Sequence, residues 1–141
     1  MIVYLDTSAL VPLLVTEPST DACRRLWQAA DDVVSCRLTY VEAAAALARA
    51  QRLGRVTASA HERALQNLDS LWSQVVVIEV DDELMRAAAS SAARHELRGY
   101  DAVHCAAAQL SSGEDFVAAT GDRTLLAAWA AIGLTTFDAS K

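Results

Sequence analysis

Val75-Val76-Val77-Ile78 places four branched apolar side chains in succession, the pattern of a strand buried on both faces of a parallel sheet. Ile2-Val3-Tyr4-Leu5, Val33-Val34-Ser35-Cys36 and Phe116-Val117-Ala118-Ala119 are similar short runs, and a last short strand is predicted near Thr135 to Phe137. Helical spacing fills the intervals. One helix is capped by Asp6-Thr7-Ser8 and runs through Leu10 and Leu14; after Pro18 a second carries Cys23, Leu26 and Trp27 on one face. Others are predicted from Thr39 to Arg52, Thr57 to Trp72, Asp81 to His95, Tyr100 to before Ser111, and from Asp122 through Trp129 and Ala130. Strands that alternate with helices predict a three-layer α/β/α fold with a central, mainly parallel sheet of four to five strands, formed by one domain over residues 1–141.

In such a sheet the strands point the same way, and ligands bind outside their carboxyl ends. Asp6, Glu42, Asp101 and Asp122 each lie where an apolar strand gives way to a helix or in a helix's first turn, so they are expected to converge. Together they could form one divalent-metal pocket. Each also has a structural reading. Asp6, Asp101 and Asp122 suit N-caps or first-turn acids, each contributing about 1 kcal/mol to its helix. Thr39-Tyr40-Val41-Glu42 spells a capping box, in which Glu42 would reach back to the Thr39 backbone N–H.

Composition narrows the function classes. A formal net charge of −6 argues against a general nucleic-acid coat, although eleven of the twelve basic residues are Arg, the side chain suited to bidentate phosphate contacts. No apolar run approaches the ~20 residues that span a bilayer, and a cytoplasmic protein is expected. Cys23, Cys36 and Cys105 are odd in number and widely spaced, which predicts buried reduced thiols. His61, His95 and His104 read as surface or half-buried helix residues, with no HExxH pattern among them.

The wording around the four acids resembles the PIN-domain ribonucleases, and in particular the VapC-type toxins of type II toxin–antitoxin pairs. The matching segments are Val3-Tyr4-Leu5-Asp6-Thr7-Ser8-Ala9-Leu10, Thr39-Tyr40-Val41-Glu42-Ala43, Tyr100-Asp101-Ala102-Val103-His104-Cys105-Ala106-Ala107-Ala108 and Ala119-Thr120-Gly121-Asp122-Arg123-Thr124-Leu125, in the family's order. His104 and Cys105 depart from the aliphatic or small residues more usual there. Cys105, one turn beyond Asp101, is expected in the core or on the pocket floor.

The resemblance implies an endoribonuclease dependent on Mg²⁺, with Mn²⁺ as a substitute, leaving a 5′-phosphate and a 3′-hydroxyl. Asp6 and Asp101 would be direct ligands. Glu42 and Asp122 would complete the pocket, while Ser8 and Thr120 would hydrogen-bond the carboxylates or serve as turn and capping residues. Arg123 could reach a phosphate or sit on the surface. The implied partners are RNAs of the translation apparatus, a second copy in a homodimer, and a VapB-like antitoxin whose segment lies along an apolar groove. Leu10, Leu13, Leu14, Leu26, Trp27 and the helix pair after Thr39 could supply that groove, or be ordinary core. A non-catalytic protein-binding module with a PIN-like fold is the alternative. A receiver domain would need a lysine after a late strand, where the chain has only Lys141; a haloacid-dehalogenase-type phosphatase would need an acid at Ser8; nucleotide-binding Rossmann proteins would need a glycine fingerprint.

Overall fold

β1 (Ile2–Leu5) pairs in parallel with β2 (Asp32–Cys36) on one side and β4 (Phe116–Thr120) on the other, placing the first strand at the sheet's centre in this computed structural model of residues 1–141. β3 (Val75–Ile78) lies outside β2 and β5 (Thr135–Asp138) outside β4, giving the order β3-β2-β1-β4-β5 with every pair parallel. Successive side chains of β1 point to opposite faces. Tyr4 enters one core, while Val3 and Leu5 enter the other.

The helices divide accordingly. α1 (Thr7–Leu10), α2 (Thr20–Ala29), α3 (Leu38–Arg52) and α4 (Ala58–Trp72) close over Val3 and Leu5, contributing Leu10, Leu26, Leu47 and Leu68. α5 (Asp82–His95), α6 (Gly99–Ser111) and α7 (Arg123–Ala131) cover the Tyr4 face with Leu84, Ala102 to Ala108 excepting His104, Leu125 and Trp129. Trp129 is fully buried edge-on to Tyr4, their ring centroids 5.9 Å apart, and its indole N–H has no hydrogen-bond partner. No helix is long and apolar enough to cross a membrane. All three cysteines are free and buried.

Two expectations are corrected here. β3 is an edge strand, with Val76 50% exposed, because the sheet ends there and only β2 flanks it; four branched residues in a row reported a strand but not its burial. The first helix is α-helical only as far as Leu10 and tightens into a 3-10 turn over Val11–Leu13. Pro12 has no N–H to donate to the carbonyl four residues back, so the regular ladder cannot pass it.

α3 and α4 form an antiparallel pair whose inner seam is Ala43, Leu47, Ala64 and Leu68, all buried. Leu68 is completely covered. Leu68→Ala should destabilise the protein by about 2–5 kcal/mol, the usual cost of a buried leucine-sized cavity, measured as a shift of the urea midpoint.

Candidate active site

The parallel pairing of Leu5 with Ala119 carries the chain after β1 alongside the end of β4, which brings Asp6 next to Thr120. Asp6 is nearly inaccessible, and both its oxygens are engaged. Oδ2 accepts from the Thr120 hydroxyl at 2.6 Å; Oδ1 accepts from the Ser8 hydroxyl at 2.7 Å and from the Ala9 N–H at 3.2 Å. Ser8 and Thr120 are themselves tied down. The Gly121 N–H donates to Ser8 Oγ at 2.7 Å and the Asp122 N–H donates to Thr120 Oγ1 at 3.0 Å.

Asp122 caps α7, its Oδ1 accepting from the Leu125 N–H at 2.8 Å and its Oδ2 left without a partner in the chain. Asp6 likewise caps α1. Asp101 lies in the first turn of α6 and makes no capping bond; neither of its oxygens has a donor within the chain. The capping-box reading of Glu42 is corrected. Its Oε1 accepts from the Thr7 hydroxyl at 3.0 Å and pairs with His104 Nε2 at 2.7 Å, while the Thr39 hydroxyl is hydrogen-bonded to the buried Ser35 hydroxyl, their oxygens 2.8 Å apart. α3 starts at Leu38 with no side-chain cap, so the box lacks its N-cap.

His104 is the residue that the sequence reading misplaced. It is 2% exposed, with Nδ1 2.8 Å from the Tyr4 hydroxyl and Nε2 against Glu42. A carboxylate can only accept, so Nε2 carries the proton in this pair. The available signal was its position three residues after Asp101, which places both on one face of α6. Cys105, by contrast, is wholly buried in the core behind α6.

Asp6, Glu42, Asp101, Asp122 and His104 line one open cavity of about 380 Å³, together with Glu17, a fifth carboxylate that its loop position had hidden. Burial pushes the Asp6 carboxyl above the ordinary aspartate range, against the opposing pull of His104 and of the hydrogen bonds from Thr120, Ser8 and Ala9. Asp101 is also raised, first by burial and then by the charges of Asp122 and Glu42, despite His104 and Arg98. For Glu42 burial works in the same direction, but the hydrogen bond and charge of His104 and the bond from Thr7 outweigh it and hold the carboxyl low.

The donor set fits a hard divalent cation. Both oxygens of Asp101, Oδ2 of Asp122 and Oε2 of Glu42 are oxygen donors not committed to the chain, facing a cavity whose charge is unbalanced. No three His, Cys, Asp or Glu groups close around a common point. Mg²⁺ takes oxygen ligands, keeps several waters and is held by one or two carboxylates with substrate oxygens.

Beside this cavity runs a larger groove of about 820 Å³, between the 3-10 turn with its following loop and the α3–α4 pair. Leu14 lines it, whereas Leu10 and Leu26 belong to the core.

A PIN-domain family model matches residues 3–129. The chain belongs to the PIN-domain family. Within it, the protein is closely related to the VapC-type toxin–antitoxin ribonucleases. Ribonuclease VapC49 of Mycobacterium tuberculosis is 37% identical over 124 residues, covering 88% of this chain and 86% of that one. Among solved structures, PAE2754 from Pyrobaculum aerophilum is 32% identical with a TM-score of 0.65 over 91% of this chain and 84% of the other. VapC20 of M. tuberculosis, a sarcin–ricin loop cleaving toxin, shares the fold at a TM-score of 0.68 and 20% identity, over 94% of this chain and 96% of that one.

Two measurements probe the PIN-domain site. His104→Ala leaves Glu42 and the Tyr4 hydroxyl short of a partner inside the fold and should cost about 2–4 kcal/mol in urea unfolding. The charge balance predicts a pH signature in the metal-free protein. Because Asp6 and Asp101 are raised on folding, their contribution is fully present below the ordinary aspartate pKa of about 3.9 and is lost as pH rises through the raised values. Glu42, held low, contributes in the opposite sense, its share being lost only as pH falls through its lowered value. Asp101→Asn should therefore raise Tm at pH 7 in chelator and change it little near pH 3, as read by calorimetry.

Proposed function

We propose that this PIN-domain protein is a Mg²⁺-dependent endoribonuclease, the toxin of a VapBC-type pair, acting as a single domain over residues 1–141 in the cytoplasm. The observation that carries the reading is the shared cavity of Asp6, Glu42, Asp101 and Asp122, in which hydroxyls hold Asp6 and Glu42, His104 also holds Glu42, a backbone N–H holds Asp122, and no arginine or lysine forms an ion pair with any of the four. Two carboxylates about 5 Å apart at an effective dielectric near 20 repel by roughly 3 kcal/mol. The fold thus maintains an acidic cavity against its own repulsion. A cation relieves it.

In this assignment Asp6 and Asp101 hold the ion. Asp6 is fixed in rotamer by Thr120 and Ser8, and Asp101 offers two unengaged oxygens. Glu42 and Asp122 complete the pocket, each with one oxygen anchored to the protein and one left to orient a water or a further ion. Mg²⁺ or Mn²⁺, when bound, supplies the positive charge that activates water for attack on phosphorus and screens the phosphodiester from the acidic wall. Glu42, kept ionised by His104 and Thr7, offers its remaining oxygen to orient the attacking water. Hydrolysis then yields a 5′-phosphate and a 3′-hydroxyl. RNA of the translation apparatus is the proposed substrate, a homodimer the proposed working state, and a VapB-like antitoxin the proposed restraint.

Purified protein should cut cellular RNA with Mg²⁺ or Mn²⁺ and stop when chelator is added. Asp6→Asn and Asp101→Asn should each lose at least about 100-fold in activity, in line with removal of a group that organises the reacting centre. Asp6→Asn should keep its circular dichroism, because Asn caps α1 about as well as Asp. Calorimetric titration should show weaker Mn²⁺ binding in both variants. Wild-type-like Mn²⁺ affinity in both, with no cleavage by any form, would return the protein to a non-catalytic binding module.

A further inference from the structure

The larger groove joins the acidic cavity, with Val11, Glu17 and Ala46 lining both. Its charge is opposite. Arg49 on α3, Arg55 in the α3–α4 turn and Arg63 on α4 line it, and Glu17 at the junction is its single carboxylate. In a chain of net charge −6 such a concentration of unopposed positive charge is notable. The arginines that do meet carboxylates are elsewhere, Arg24 with Asp21 and Arg37 with Glu79. Arg49, Arg55 and Arg63 are exposed and free of such pairs. Between them the floor is apolar, formed by Val11, Leu14, Val15 and Val56.

We infer that this groove is the track of an unpaired RNA strand, whose phosphates lie on Arg49, Arg55 and Arg63 and whose bases lie over the valine and leucine floor. The inference rests on the ribonuclease reading of the acidic cavity and adds how a polyanion reaches it. A cavity lined by five carboxylates repels a phosphodiester, so substrate must be drawn by charge outside it. Guanidinium groups supply that charge and grip phosphate oxygens in pairs. Continuity at Val11 and Ala46 lets a strand anchored in the groove extend one or two nucleotides further and present its next phosphate to Asp101 and Asp122. An amphipathic protein segment would also use the apolar floor, but it answers the three guanidinium groups only where carboxylates flank its apolar face, whereas every nucleotide of an RNA strand carries a phosphate.

The test measures binding of a fluorescein-labelled, mixed-sequence single-stranded RNA 20-mer by anisotropy in EDTA, across a salt series. The Arg49→Ala/Arg55→Ala/Arg63→Ala variant should bind on the order of 10- to 100-fold more weakly at low salt, with the log K against log salt slope reduced by about 2, roughly 0.7 for each lost phosphate contact. The triple lysine variant should recover most of the slope. A control with the same charge change, Arg24→Ala/Arg86→Ala/Arg94→Ala, should keep most of the affinity. With Mn²⁺, the groove variant should show a raised KM for RNA and an unchanged calorimetric Mn²⁺ affinity. The inference is overturned if the groove variant binds RNA like wild type, if the control loses as much, or if a synthetic acidic amphipathic helical peptide shows the arginine dependence and RNA does not. Failure of the nuclease reading looks different: arginine-dependent RNA binding with no cleavage by the wild type in Mn²⁺.

Discussion

The burial of carboxylates gathered at one end of a parallel sheet, sharpened at Asp101 by their mutual repulsion, is the constraint around which this PIN domain is organised. Left to themselves such groups would take up protons or move apart. The protein opposes both with a scaffold of donors: Thr120 and Ser8 on Asp6, Thr7 and His104 on Glu42, and the Leu125 N–H on Asp122. Asp101 receives no such support, and it is raised by burial and by its neighbours' charges. Geometry is secured at some expense in stability, a pattern common where a site must be ready before its ligand arrives.

Much of the architecture was legible because it is written in local patterns. Short branched runs separated by helical spacing led to a parallel sheet with helices on both faces, and the convergence of strand ends followed from that alone. What local pattern does not carry is the order of strands. Val75 to Ile78 read as buried from composition, yet β3 is at the edge, since lateral position depends on which strands the crossovers bring together. Pro12 was visible, but a proline near a helix start is tolerated in the first turn, so its effect on the ladder beyond Leu10 emerged only with the backbone.

The acids show the same division. Asp6 and Asp122 are both caps and members of the cavity, so the two readings weighed for them were never exclusive. Glu42 matched a capping box letter for letter, but Ser35, thirty residues from Leu5 in sequence, takes Thr39 away from that role by bridging it to the Leu5 carbonyl. Ser35 lies just outside the four letters of the motif, on the strand that leads into α3, and is itself anchored by a distant carbonyl that the motif cannot register. His104 escaped for a related reason. Alanines all around α6 allow close packing on every side, and a histidine among them is covered although its helix is polar at both ends.

Tyr4 links the two sides of this organisation. Its hydroxyl meets His104, which meets Glu42, and its ring stands edge-on to Trp129, 5.9 Å away between centroids. Trp27 and Trp72 are partly open to solvent, whereas Trp129 is sealed. The blue edge of the protein's intrinsic fluorescence therefore comes from an indole three contacts removed from a cavity carboxylate, a native optical reporter for changes in that cavity without any attached dye.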